Sequence, residues 1–201
     1  MFLVLSSLTV AAESSAVQQL SAQLSNMNSL SAHFTQTIKD SRGELLQEAS
    51  GTLTVKRPRR FYWRTEQPYE HLVVTDGNLL WLYDIDLEQI TKQKFTPDLD
   101  KAPALLLSGE VEEISQQYTI ELTDRADKVL HFTLLPKSED SLFKQLTITF
   151  SDRLLSAMSL QDSFDQLTTI SFTAVKLNPE VPDTLFQFTA PDGIDVISDE
   201  P

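Results

Sequence analysis

The reactive side chains of this sequence could support metal binding, general acid–base work or anion pairing, and spacing weakens the first two. Asp84, Asp86 and Glu88 stand two residues apart in the run DIDLE, on one parity of an extended chain, and such a set could recruit a hard cation. The run falls in an expected hairpin turn with no glycine, so a solvated turn is the stronger reading. The histidines are His33, His71 and His131, scattered and without paired ligand spacing. His33 and His71 fall at the polar starts of strands and read as surface residues. The chain has no G-x-S-x-G elbow, no G-x-G-x-x-G, no P-loop and no H-E-x-x-H. No catalytic residues, metal site or cofactor are therefore expected, and the chain does not read as an enzyme.

The third kind of chemistry is concentrated in one stretch. Gly51 to Pro68 reads GTLTVKRPRRFYWRTEQP, and five of the sixteen basic residues crowd into Lys56–Arg64. Split by the two-residue period of a strand, Leu53, Val55, Arg57, Phe61 and Trp63 share one face, so a guanidinium sits on the apolar side. Lys56, Arg60 and Arg64 lie on the other and read as guards of an exposed sheet edge beside Pro58. A buried Arg57 costs several kcal/mol unless its donors are satisfied, roughly as for any desolvated charge. Two kinds of partner fit equally well: the unpaired carbonyls at the end of a helix, or a distant Asp or Glu.

These residues must be positioned by a chain whose period changes early. From Ser15 to Leu30 the apolar residues Val17, Leu20, Leu24, Met27 and Leu30 recur at steps of three and four, which predicts an amphipathic helix. Beyond it the period is two. Strands are expected at Ser31–Asp40, Leu45–Val55, Arg59–Glu66, Tyr69–Thr75, Asn78–Asp84 and Leu87–Phe95. Further strands are expected at Gln117–Thr123, Lys128–Leu135, Phe143–Phe150, Arg153–Leu160 and Asp165–Ala174. Pro97–Gly109 reads as a short helical segment, and Asn178–Phe186 holds two prolines and a helical turn. About eleven strands form a sheet that must curl or split to hide its edges, and a curled sheet of that size leaves a hollow wider than a small barrel. The fold class is thus mainly β with an α cover: an incomplete, unclosed antiparallel barrel whose apolar cavity is lidded by helices.

Sixteen Lys and Arg against 29 Asp and Glu give a formal charge of −13, which argues against nucleic acid and against stable residence on anionic membranes. The start, MFLVLSSLTVAAE, resembles a secretory signal, with a short apolar core and small residues before Glu13, so residues 1–12 are expected to be a signal and 13–201 one domain. The absence of cysteine leaves neither a disulfide framework nor an N-terminal lipid anchor.

A set of motifs in order extends the reading. F-T-Q at Phe34–Gln36, Q-E-x-x-G at Gln47–Gly51, V-K-R-P-x-x-F-x-W at Val55–Trp63, Q-P at Gln67–Pro68, D-G-x-x-L-W-x-Y at Asp76–Tyr83 and E-Q at Glu88–Gln89 resemble the periplasmic outer-membrane lipoprotein carrier family, LolA. The likeness covers roughly Ala32 to Leu107 and continues only as a strand pattern beyond. It implies that Arg57 latches a lid, that the lid is the segment Pro103, Leu105, Leu106 and Leu107, and that Phe61 and Trp63, with Leu53 and Val55 on the same face, line an acyl-chain cavity.

The resemblance further implies a periplasmic, monomeric carrier. Its cargo would be acylated lipoproteins, taken from an inner-membrane ABC lipoprotein-releasing transporter and given to an outer-membrane receptor lipoprotein. A general envelope lipid- or glycolipid-binding protein of the same fold is the alternative, and a lipid hydrolase ranks far behind for want of a nucleophile and base. The basic cluster near the mouth is offered either as a docking patch for an acidic partner or as edge protection.

Overall fold

The change of period from helical to extended falls at a short asparagine-rich turn. In a computed structural model, which describes residues 6–96, 103–124 and 128–198, α1 spans Ser6–Ser25 and β1 spans Ser29–Lys39. Ala16, Leu20 and Leu24 point inward from α1, and the helix packs against the far half of the sheet. Leu30, expected as the last residue of the helical stripe, is instead a buried residue of β1. The break is fixed from the far end of the chain. Asn178 accepts the Asn28 N–H on Oδ1 at 2.8 Å and donates from Nδ2 to the Asn26 carbonyl at 3.0 Å, while its own N–H donates to the Ser29 carbonyl. Its φ of 55° lies in the left-handed region that asparagine tolerates better than most residues. Asn178→Ala should therefore cost about 1–2 kcal/mol, read as a lower urea midpoint with an unchanged m-value.

The strands that follow are β2 (Leu45–Lys56), β3 (Arg60–Gln67), β4 (His71–Thr75), β5 (Leu79–Asp84) and β6 (Gln89–Lys94). A 3-10 helix over Pro103–Ser108 and α2 (Val111–Gln117) then lead to β7 (Tyr118–Asp124), β8 (Val129–Pro136), β9 (Phe143–Ser151), β10 (Leu154–Asp162) and β11 (Leu167–Leu177). A second 3-10 turn, Asp183–Phe186, precedes β12 (Asp195–Ser198). The described strands form one twelve-stranded sheet in the order β12-β6-β5-β4-β3-β2-β1-β11-β10-β9-β8-β7. All neighbours are antiparallel except β12, which runs parallel to β6. The sheet curls without closing, as expected for an incomplete barrel. β12 and α2 were not anticipated: all four residues of β12 are exposed, and α2 buries only Val111 and Ile114, so neither carries a strong periodic signal.

Strand order overturns the edge reading of the basic cluster. β2 and β3 lie in the middle of the sheet, so Lys56, Arg60 and Arg64 guard no edge. They satisfy acids of their own chain instead. Lys56 Nζ reaches Asp183 at 2.6 Å, Arg60 reaches the same carboxylate at 3.9 Å, and Arg64 pairs with Glu70 at 3.0 Å. Lys56 also donates to the Val181 carbonyl, so this pairing ties the second 3-10 turn to the outer face of the sheet. Lys56 and Arg60 stand at the β2–β3 turn, the opposite end of the strands from the cavity mouth described below.

Candidate functional site

The inner face of the sheet changes character along each strand. Toward the β2–β3 turn it is apolar and packed; toward the β1–β2, β3–β4, β5–β6 and β10–β11 hairpins it opens into a cavity of about 440 Å³. That volume lies within the range of small-molecule and lipid pockets, roughly 300–1,000 Å³. Phe61 and Trp63 stand in its wall as the alternation of β3 requires, joined by Val73, Leu146, Met158 and Ile170. The Trp63 ring stacks on Phe34 with centroids 3.7 Å apart, and its indole N–H donates to Thr65 Oγ1 at 3.2 Å. Leu53 and Val55 share this face, at 1% and 0% exposure, but they belong to the packed core behind the cavity rather than to its wall.

The segment expected as a lid is a 3-10 helix. Leu105, Leu106 and Leu107 are buried in the same core, and Ala104 is the residue of this segment that touches the cavity. The side chain of Pro103 lies outside the described residues. Sequence reasoning named no wall residue from β9, β10 or β11. Leu146 of β9, Met158 of β10 and Ile170 of β11 are buried on the inner face of their strands, and the alternation around Leu146 and Ile170 is the signal that marks it.

Arg57 lies two residues before Arg59, whose N–H bonds the end of this 3-10 helix, but the hydrogen bonds of Arg57 itself differ from those expected. Because β2 ends at Lys56, Arg57 belongs to the turn, where its N–H donates to the Asn28 carbonyl at 2.8 Å. Its Nη1 is buried with no hydrogen-bond partner among the described residues. Three carbonyls at the end of the neighbouring 3-10 helix take other donors. Ser108 Oγ donates to the Leu105 carbonyl at 2.8 Å, the Gly109 N–H to that of Leu106 at 3.1 Å, and the Arg59 N–H to that of Ser108 at 2.9 Å. Burial pushes the Arg57 guanidinium below its ordinary pKa, opposed in part by the Glu110 and Glu112 carboxylates at the start of α2.

Arg59 thus makes the contacts that Arg57 was expected to make. It sits at a φ of 61°, where a side chain added at Gly77 would come within 3.3 Å of its Cβ, and its guanidinium pairs with Glu113 of α2. Both partners are about a third exposed or more, at 42% and 32%, so the pair contributes on the order of 1 kcal/mol or less.

Of the histidines, His33 is exposed and His131 bonds Thr149 Oγ1 across β8 and β9 at 3.0 Å. His71, expected at the surface, lines the cavity. Burial lowers its pKa from the ordinary 6.5, and the facing Asp84 carboxylate only partly opposes the shift. The unfolded chain then takes up this proton first as pH falls. Stability conferred by a neutral His71 is complete above 6.5 and declines as pH drops from there toward the lower folded value. Urea midpoints at about pH 7.5 and about pH 5.5 should differ less in His71→Gln than in the wild type. Asp84, Asp86 and Glu88 form no ion cage. Asp84 Oδ1 accepts the Leu87 N–H, Asp86 Oδ2 accepts the Glu70 N–H, and no metal-binding group of three is found among the described residues. No helix among them is long and apolar enough to cross a membrane.

An unclosed, curled sheet around a hollow walled by Phe61, Trp63, Val73, Leu146, Met158 and Ile170 has the form of a β-fold that encloses an internal cavity. Residues 25–189 match the family described as outer membrane lipoprotein carrier protein LolA, and the chain belongs to that family. It is 43% identical over 198 residues to an outer-membrane lipoprotein carrier protein of Hahella chejuensis, covering 98% of this chain and 95% of that one. A protein of the same name from Pseudomonas putida is 44% identical over 197 residues, again covering 98% and 95%. Among solved structures, an uncharacterized conserved protein of Thermus thermophilus shares the fold at a TM-score of 0.55 and 10% identity, covering 92% of this chain and 98% of that one. A LolA superfamily protein of Nitrosomonas europaea does so at 0.50 and 10%, covering 86% and 98%.

Proposed function

We propose that the chain is a soluble, monomeric periplasmic carrier, exported by residues 1–12, that covers the acyl chains of lipoproteins and hands them to an outer-membrane receptor. The observation that carries this reading is the cavity of about 440 Å³ with Phe61 and Trp63 in its wall, in a chain of the lipoprotein carrier family. Each methylene kept from water is worth about 0.8 kcal/mol, so an acyl chain crosses an aqueous space only inside such a cover. The inner-membrane donor would be an ABC transporter and the acceptor a membrane-anchored receptor. The hairpins around the mouth present Tyr69 at 72% and Phe164 at 81% exposure, a rim suited to meeting them.

Arg57 acts in this reading as a charged latch. Its guanidinium is attracted by Glu110 and Glu112 of the closed cover but lacks hydrogen bonds for Nη1, so closure is favourable by little and the lid is poised to open. Leu53, Val55 and the lid residues Pro103, Leu105, Leu106 and Leu107 would become acyl contacts once it does. The test is release from spheroplasts. Purified protein added outside should bring newly made lipoproteins into solution in complex with it. Lipids co-purifying with the protein, without any such release, would instead mark a general envelope lipid binder.

A further inference from the structure

Within the cavity an apolar floor gives way toward the hairpins to a polar collar, in one pleat step on β3–β5 and in stagger on β2, β1 and β11. On β3, β4 and β5, Trp63, Val73 and Leu82 form a register row across the sheet. Two residues nearer the mouth the next row is Thr65, His71 and Asp84. Continuing round the same inner face, β2, β1 and β11 also carry a polar residue beyond an apolar one toward the hairpins, Gln47 after Ala49, Gln36 after Phe34 and Thr168 after Ile170, but in stagger, with Gln36 in register with Ala49 and Ile170. The six collar residues all line the cavity. Gln36, Gln47, His71 and Thr168 make no side-chain hydrogen bond to another described residue, so their capacity is unspent. Thr65 Oγ1 accepts the Trp63 indole N–H and keeps its own proton to donate. Asp84 Oδ1 accepts the Leu87 N–H, which leaves Oδ2 for another donor.

We infer that this collar is a second binding element, one that seats the polar linkage of a two-chain lipid, its ester carbonyls and adjoining N–H, while the chains lie on the apolar floor. The inference rests on the carrier reading above. Thr65, His71 and the two glutamines supply donors for ester oxygens, and Asp84 takes the linkage N–H. A neutral imidazole, which burial at His71 favours, offers one N–H and one lone pair, as a linkage of mixed donors and acceptors requires. A cavity that recognised chains alone would gain more from leucine at each of these positions, since polar groups facing an apolar ligand lose their water for nothing.

The sign of the effect makes the test. His71→Leu and, separately, Gln36→Leu are compared with wild type for two probes: a synthetic dipalmitoyl-S-glyceryl-cysteine with a short neutral peptide, and N-phenyl-1-naphthylamine, an apolar dye with no carbonyl. The lipopeptide should bind each variant about tenfold more weakly, while the dye binds equally or more tightly. Losses of equal size for both probes in both variants, or no loss for the lipopeptide, would overturn the collar. If the wild type takes the dye but not the lipopeptide, the carrier reading itself fails and the collar with it.

Discussion

Arg57→Leu is expected to give a carrier that loads but does not deliver. The substitution removes a guanidinium whose Nη1 is buried without a partner among the described residues and puts a branched aliphatic in its place, near the start of α2. In the loaded state that side chain adds apolar surface to the acyl contacts, and no charge has to be covered by the ligand. Burying one such side chain is worth about 1.5–3 kcal/mol, which is at least a tenfold gain in retention. The measurement is transfer of a labelled lipoprotein from carrier to receptor-bearing membranes. It should slow by about tenfold or more, while the amount loaded is unchanged or higher. Transfer at the wild-type rate would remove Arg57 from the mechanism. It would leave the cover to Arg59, whose N–H holds Ser108 and whose side chain holds Glu113.

Gly51→Ala should do more damage than any other single methyl group added to this sheet. Gly51 faces Thr65 on one side and Phe34 on the other, next to an irregularity in the β2–β3 register. A methyl there would stand 1.9 Å from the Arg64 carbonyl oxygen and 2.9 Å from Thr65 Cα, both backbone atoms that cannot step aside. Phe34 and Trp63 belong to the strands flanking β2, and their rings meet at 3.7 Å across it, where the glycine leaves the face clear. Overpacking against backbone costs about 3 kcal/mol or more. At this chain length that is roughly a 10 °C drop in Tm, readable by circular dichroism. Acyl-dye binding should fall with it, since the stacked tryptophan is part of the cavity wall.

Strands β1 to β11 were readable because half-buried strands write their two-residue period directly into the sequence, and those at Leu45, Phe143 and Leu154 begin within a residue of expectation. β12 was not, because Asp195–Ser198 buries nothing and is held by its ladder to β6 alone. Which strand lies beside which is a long-range property, so the basic residues of β2 and β3 looked like edge guards when they are central. The candidate site divides in the same way. Phe61 and Trp63 followed from parity. The unpaired Nη1 of Arg57 did not, because it depends on how the β2–β3 turn, with the left-handed Arg59, sets that side chain against the 3-10 helix. His71 was misread as surface because a hairpin-proximal position does not reveal whether it borders water or a hollow.

The seam in the sheet has a consequence for capacity. A closed barrel has its girth set by strand number and stagger. Here no ladder among the described residues joins β7 to β12. The circumference is therefore not locked by backbone pairing, and the two margins can part or approach without breaking a rung. In the proposed carrier role, bulkier passengers would then be admitted by spreading the walls, with the resting hollow a lower bound on what the vessel holds.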